Sequence, residues 1–175
     1  MGSFMALKPA NEVLRQKSKL VETQEEAEVI ISHLESVLLL NKRFYAVCAP
    51  EVDVLKQVIV MRMNSVSLNI INPIIIGKKY PFISLKEHCF VHDKEVFNCL
   101  RYREITIKSG LDNKVGIVTG NVSIIIQHAI DHFNGFATID KTIKLGLVRK
   151  DGQILEKDFC PCGSKKRFSA CHMKI

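Results

Sequence analysis

The chain has 175 residues, 47% of them hydrophobic and 25% charged, with a formal net charge of +7. That apolar fraction and a mean hydropathy of +0.10 exclude a disordered chain and supply enough material for one sizeable core, with room for a small appendage. No apolar run reaches the roughly 18 residues that a membrane span needs; the longest, around residues 66–77, is broken by Asn69, Asn72 and Pro73. The first ten residues are too polar for a signal peptide, and Ala6 stands where a myristoylation signal requires Ser or Thr. These features predict a soluble, cytoplasmic protein. The basic balance permits an anionic partner without naming one.

Residues 8–21 are polar and irregular. Thr23 then introduces an acidic first turn, Glu25 and Glu26, where the helix macrodipole favours negative charge. Ala27, Ile30, Ile31, Leu34, Val37 and Leu38 follow at helical spacing, so a helix with one core-facing stripe is expected to close near Leu40. After residue 43 the pattern changes to strands. Residues 44–48, 57–63 and 66–71 are rich in Val, Ile and aromatics, and Pro50, the 64–65 Asn-Ser pair and the 72–73 Asn-Pro pair punctuate them. Residues 74–76 read as a short buried strand ending at Gly77, and residues 98–108 as a partly alternating strand leading to a turn at 109–113. A second helix is expected from about residue 121 to 133, stopped by Asn134-Gly135. Residues 142–148 fit a strand or a helix, and residues 150–153 look like a linker turn. Strands segregated from helices, without βαβ alternation, indicate an α+β fold.

The second helix carries Gln127-His128-Ala129-Ile130-Asp131-His132. Residues four apart share a helix face, so His128 and His132 can aim two imidazoles at one metal ion. Metallohydrolases commonly write this element His-Glu-x-x-His, with the Glu as general base; here Ala129 holds the Glu position. Cys89, in a loop after a strand, would complete a set of three ligands with a fourth position open, as hydrolytic metals require. Taken alone, Cys89 reads as a buried inert thiol, the usual fate of a free cysteine, in preference to a ligand.

Gln127-His128-x-x-Asp131-His132 with Asn134-Gly135, preceded by Glu87-x-Cys89, resembles the peptide deformylase family. Residues 13–19 resemble that family's start, Asn72-Pro73-Ile74 resembles the strand ahead of its cysteine motif, and the likeness covers about residues 8–148. The resemblance implies an α+β fold with antiparallel strands around a central metal-ligand helix. It also implies removal of the formyl group from the N-terminal methionine of nascent chains. It makes Cys89, His128 and His132 the ligands of a divalent metal (iron, nickel, cobalt or zinc), and pairs Arg101 with Glu87.

Three departures bear on that activity. Ala129 replaces the glutamate that carries a proton from the attacking water to the leaving amine, help worth ~10²–10⁴-fold in rate. Residues 44–51 align with the family's Gly-x-Gly-x-Ala-Ala-x-Gln. Both glycines are absent, and Glu51 replaces the oxyanion-stabilising Gln. His88 and Phe90 replace a Gly and a Leu, and Phe44, Tyr45 and Phe90 are expected to narrow the methionine pocket. Two readings follow. One is a deformylase-like metallohydrolase with impaired or altered catalysis, in which Glu51 is the only nearby candidate for acid–base work. The other is an inactive pseudoenzyme that binds a nascent chain, the ribosome or another protein.

Of six cysteines, Cys48, Cys89 and Cys99 are scattered, whereas Cys160, Cys162 and Cys171 crowd the end of the chain beside His172. Clustered Cys/His in an intracellular protein reads as metal before disulfide. The form Cys-x-Cys-x8-Cys-His resembles the SEC-C motif, which implies a structural tetrahedral zinc site whose metal supplies the folding free energy of so short a segment. Lys165, Lys166, Arg167 and Lys174 make this tail basic, suited to the ribosome or another anionic surface. The expected division is therefore a deformylase-like domain over residues 1–150 and a zinc-binding tail over residues 151–175.

Overall fold

A computed structural model describes residues 12–63, 66–92, 94–143, 154–161 and 164–171. After a 3-10 turn at Val13–Arg15 comes α1, Gln24–Leu40, begun where the Thr23 side chain accepts from Glu26 N. Ala27, Ile30, Leu34 and Leu38 form its buried stripe, as the helical spacing predicts. β1 (Ala46–Cys48), β2 (Val58–Met63) and β3 (Val66–Ile71) then make an antiparallel sheet. A second antiparallel sheet follows from β4 (Ile74–Glu87), β5 (Phe97–Ser109) and β6 (Lys114–Thr119). The second long helix, α2, spans Gly120–Phe133, and a four-residue helix, α3, spans Phe168–Cys171.

Strand alternation divides the core. Val58 and Val60 of β2 face α1, packing with Leu34, Leu38 and Val47, whereas Ile59 and Met61 face the opposite way. There they meet Ile126, Ala129 and Phe133 of α2 and Ile105 and Ile107 of β5. The helix with the two histidines is thus enclosed between the two sheets by its own apolar positions. Period-2 and period-3.6 patterns meeting on a shared interior fix which way its histidines point.

The structure corrects several expectations. β4 continues ten residues past Gly77, and its start is no buried strand, since Ile74 and Ile76 are exposed. β6 was not anticipated, because its exposed Val115 and Ile117 alternate with residues that face solvent as well. Tyr45 lies exposed to solvent and narrows nothing. The tail also buries more than its length suggests: Phe168 is fully buried, packed with Ile154 and Cys160 against Ile83 of β4 and Ile143. Cys162 and His172, the 150–153 linker turn and most of the undecided 142–148 segment lie outside the described residues.

α2 ends through Gly135, whose φ of +79° is costly for any residue with a Cβ. A Cβ there would also sit 2.8 Å from the Arg15 carbonyl oxygen, because the N-terminal segment runs alongside, with Lys17 bridged to Asn134. Gly135→Ala is expected to lower the unfolding free energy by at least ~1–3 kcal/mol, read from urea denaturation. Gly116→Ala, with open space around its Cβ, should leave the midpoint nearly unchanged; equal effects would contradict this account.

Candidate metal centre

Three segments deliver the site. α2 supplies His128 and His132 from its inner face. The register shift between Ser84 and Glu87, with Lys86 at φ +56°, irregularly closes the β4–β5 ladder, whose last pair is Glu87 with Phe97, and two residues on Cys89 is fully buried. The 3-10 turn Ala49–Val52 supplies Glu51, held by its Oε2, which accepts from Cys48 N at 2.8 Å. One ligand-type atom from each of Glu51, Cys89, His128 and His132 lies within 4.8 Å of the others.

The two imidazoles meet with Nε2 atoms 3.0 Å apart. His132 Nδ1 lies 2.9 Å from the Phe136 carbonyl oxygen. A carbonyl only accepts, so Nδ1 donates and a neutral His132 presents a bare lone pair at Nε2. His128 Nδ1 faces Glu87 Oε2 at 3.5 Å, which favours the same tautomer. Two lone pairs directed at each other at this distance require a proton or a cation between them. The donor set of a thiol, two imidazoles and a carboxylate, with its outer nitrogens committed to a carbonyl and a carboxylate, fits a divalent transition metal.

The acidities agree with that fit. Burial raises the Cys89 thiol and so does the Glu51 carboxylate, yet the His128 and His132 imidazoles outweigh them and bring it down to about 6. Cys48, by contrast, is pushed well up by burial and by Glu51, which leaves Cys89 as the thiolate of the pair. Burial opposes the charged form of His128, but Cys89, Glu51 and Glu87 raise it well above the ordinary imidazole value. In Glu51, burial acts upward while His128, His132 and the Cys48 N–H hold the carboxyl down to about 2.

The outer layer is built on Arg101, which pairs with Glu87 in a fork: Nε to Oε1 and Nη2 to Oε2, both at 2.9 Å. The pairing expected from the sequence is therefore present. The sequence reading missed Asp131, whose Oδ2 accepts from Arg101 Nη1 at 2.6 Å. Its position between the two histidines was visible, but not its direction across to β5. Gln127 completes the frame, its Oε1 accepting from Tyr102 N at 3.0 Å and its Nε2 donating to Tyr102 O at 2.8 Å, so α2 is fixed in register with β5.

Beside these residues lies a cavity of about 410 Å³ lined by Phe44, Val47, Glu51, Ile125, His128 and Ala129, among others. Phe44 and Phe90 pack at 4.8 Å between ring centroids and form part of its wall. Ala129 presents a methyl group there. Of the tail residues singled out, Cys160 is buried and Cys171 half-buried.

The polypeptide deformylase family model matches residues 6–147. A peptide deformylase of Desulfitobacterium hafniense is 27% identical over 149 residues, covering 82% of this chain and 97% of the relative. One from Halothermothrix orenii is 30% identical over 142 residues, covering 77% and 90%. The solved peptide deformylase structure of Thermotoga maritima superposes with a TM-score of 0.66 at 22% identity, covering 75% of this chain and 92% of that one.

Arg101 is deeply buried between Glu87 and Asp131. Arg101→Met is expected to cost ~3–5 kcal/mol, because Glu87 would lose its buried fork partner and keep only His128, and Asp131 would keep only Lys141 at 3.8 Å. Glu87 shares the acid dependence with Glu51: burial raises it, but His128 and Arg101 hold it down to about 2 from 4.5. A depressed folded-state value means stability that is present above pH 4.5 and is lost as pH falls towards 2. Acid titration of metal-free protein should show this loss, shallower in Arg101→Met; a steeper loss in the variant would contradict the assignment.

Proposed function

The chain belongs to the polypeptide deformylase family, and on that premise we propose that it binds N-formylmethionyl peptide ends beside a divalent metal and deformylates them slowly. Cys89, His128 and His132 are the proposed ligands, for iron, nickel, cobalt or zinc. A metal held there would supply Lewis acidity toward the formyl carbonyl and its attacking water. The chain's own residues do the rest. The apolar wall of Phe44, Val47 and Ile125 suits an unbranched thioether side chain. Glu87 and Arg101 orient His128, and the Phe136 carbonyl orients His132.

The observation that carries slow turnover is the state of the carboxylates at the cavity. Ala129, 2% exposed and on its wall, has no atom that can move a proton. Glu87 is engaged by Arg101. Glu51 accepts from Cys48 N at Oε2 and from Phe90 N at Oε1, so neither oxygen is free to shuttle between water and amine, although among the described residues it is the carboxylate grouped with the ligand atoms. A second reading, a binding module without turnover, is supported by the same observation.

The tail has a separate proposed role. Cys160, Cys162, Cys171 and His172 would hold a structural zinc, and the exposed Lys165, Lys166 and Arg167 would face the ribosome or another anionic surface. The proposed setting is the cytoplasm, where formylated nascent chains arise. No helix among the described residues is long and apolar enough to cross a membrane.

The test is deformylation of a formyl-Met peptide by metal-loaded protein, beside the double variant Ala129→Glu/Glu51→Gln. The expected result is slow turnover by the chain as it stands and a gain of ~10²–10⁴-fold in kcat/KM for the double variant. Equal rates would contradict the role given to Ala129. No turnover in either, with peptide binding retained, would establish the binding module.

A further inference from the structure

We infer that Glu51 is a metal ligand, its Oε1 closing the tetrahedron that Cys89 Sγ and the Nε2 atoms of His128 and His132 begin. The inference rests on the metal reading above and deepens it: the resting centre has four protein ligands and no open position.

The distances carry it first. Tetrahedral bonds of ~2.0–2.3 Å place ligand atoms roughly 3.3–3.6 Å apart. Glu51 Oε1 lies 3.4 Å from Cys89 Sγ, 3.8 Å from His128 Nε2 and 3.9 Å from His132 Nε2. Cys89 Sγ is 3.5 Å from His132 Nε2, and the two Nε2 atoms are 3.0 Å apart. One oxygen is thus nearly equidistant from three other ligand atoms, as the fourth corner of a coordination shell must be. A general base would instead aim an oxygen away from the ligands, toward the cavity.

Charge carries it next. Glu51 is 6% exposed, and among the described residues its cationic neighbours are the His128 and His132 imidazoles, whose Nε2 atoms lie 3.8 and 3.9 Å from Oε1. A metal ion between these groups would take over that pairing as both imidazoles turn neutral. Buried carboxylates are paired with a cation or bound to a metal. One thiolate, one carboxylate and two neutral imidazoles around a divalent ion sum to zero, so the closed shell is electrically neutral in a buried site. Without the carboxylate it would keep one positive charge there.

Rigidity is the third support. Glu51 sits in a 3-10 turn with Pro50 ahead of it, and the Asp53 N–H closes the turn on the Pro50 carbonyl. Oε2 is held by Cys48 N and Oε1 by Phe90 N. Displacing the carboxylate to admit a formyl oxygen would break both hydrogen bonds. Turnover then requires the Glu51 carboxylate to leave the metal first, in keeping with the slow deformylation proposed above.

The experiment is titration of Co(II) into the metal-free full-length chain, with the spectrum of Cys89→Ser subtracted so that any cobalt at the tail cancels. The expected result is tetrahedral d–d bands with thiolate charge transfer that added azide does not perturb. In Glu51→Gln, affinity should fall by at least the ~10–100-fold that loss of an outer-layer partner costs, and azide should now shift the bands. Azide shifting the spectrum of the unmodified chain, with affinity unchanged in Glu51→Gln, would overturn the fourth-ligand assignment alone. No Cys89-dependent band in either protein would overturn the metal reading itself. The azide response of the unmodified chain decides the matter even if Glu51→Gln does not fold.

Discussion

The approach of two imidazole nitrogens to 3.0 Å is the constraint on which the rest of the site depends. Where both imidazoles carry their proton on Nδ1 the two lone pairs repel, so the contact needs a proton or a metal ion between them. The scaffold imposes it from outside. The Phe136 carbonyl takes the outer nitrogen of His132, Glu87 stands behind His128, and Gln127 fastens the helix to the Tyr102 backbone. Gly135 makes the first of these possible, because its left-handed backbone lets the chain double back so that Phe136 reaches His132. A fold that bears such cost without a cation would be hard to rationalise; with one, each outer contact becomes orientation of a ligand.

By the resemblance drawn from the sequence, a negative charge changes places: Ala129 puts a methyl group where the motif is expected to carry a carboxylate, and Glu51 puts a carboxylate where an amide is expected. The two residues line one cavity, so the proposed exchange would move a carboxylate across it without altering the count of acidic groups there. A carboxylate on α2 could face the cavity and move protons; on the 3-10 turn it is fixed by two backbone N–H groups against the ligand atoms. The same chemistry in a different place changes from a mobile proton carrier to an anchored anion.

Much of this was legible in the sequence. The stripe of α1 and the histidine spacing on α2 follow from periodicity, since each helix buries one face, and the 66–71 strand follows from its Val and Ile content between turn residues. The Glu87–Arg101 pair was legible only through family likeness. Less accessible were features set by tertiary direction. Asp131 reaches across to Arg101 rather than toward solvent. β4 runs far past Gly77, as hydrogen bonding to β5 extends a strand whose own residues alternate poorly. β6 is exposed except at Val118, which packs against the core, and so carries little burial pattern to read. Glu51 was recognisable as an anomaly, but only the backbone donors at Cys48 and Phe90 reveal which way its oxygens are turned.

The most direct test of the central claim is anomalous diffraction at the cobalt edge from crystals of the cobalt-loaded protein. The account predicts a peak at bonding distance from Cys89 Sγ and both Nε2 atoms, inside the enclosure between α2 and the Glu51 turn. A fully loaded protein with no peak between the two histidines would contradict it, and the 3.0 Å contact would then need a proton as its explanation.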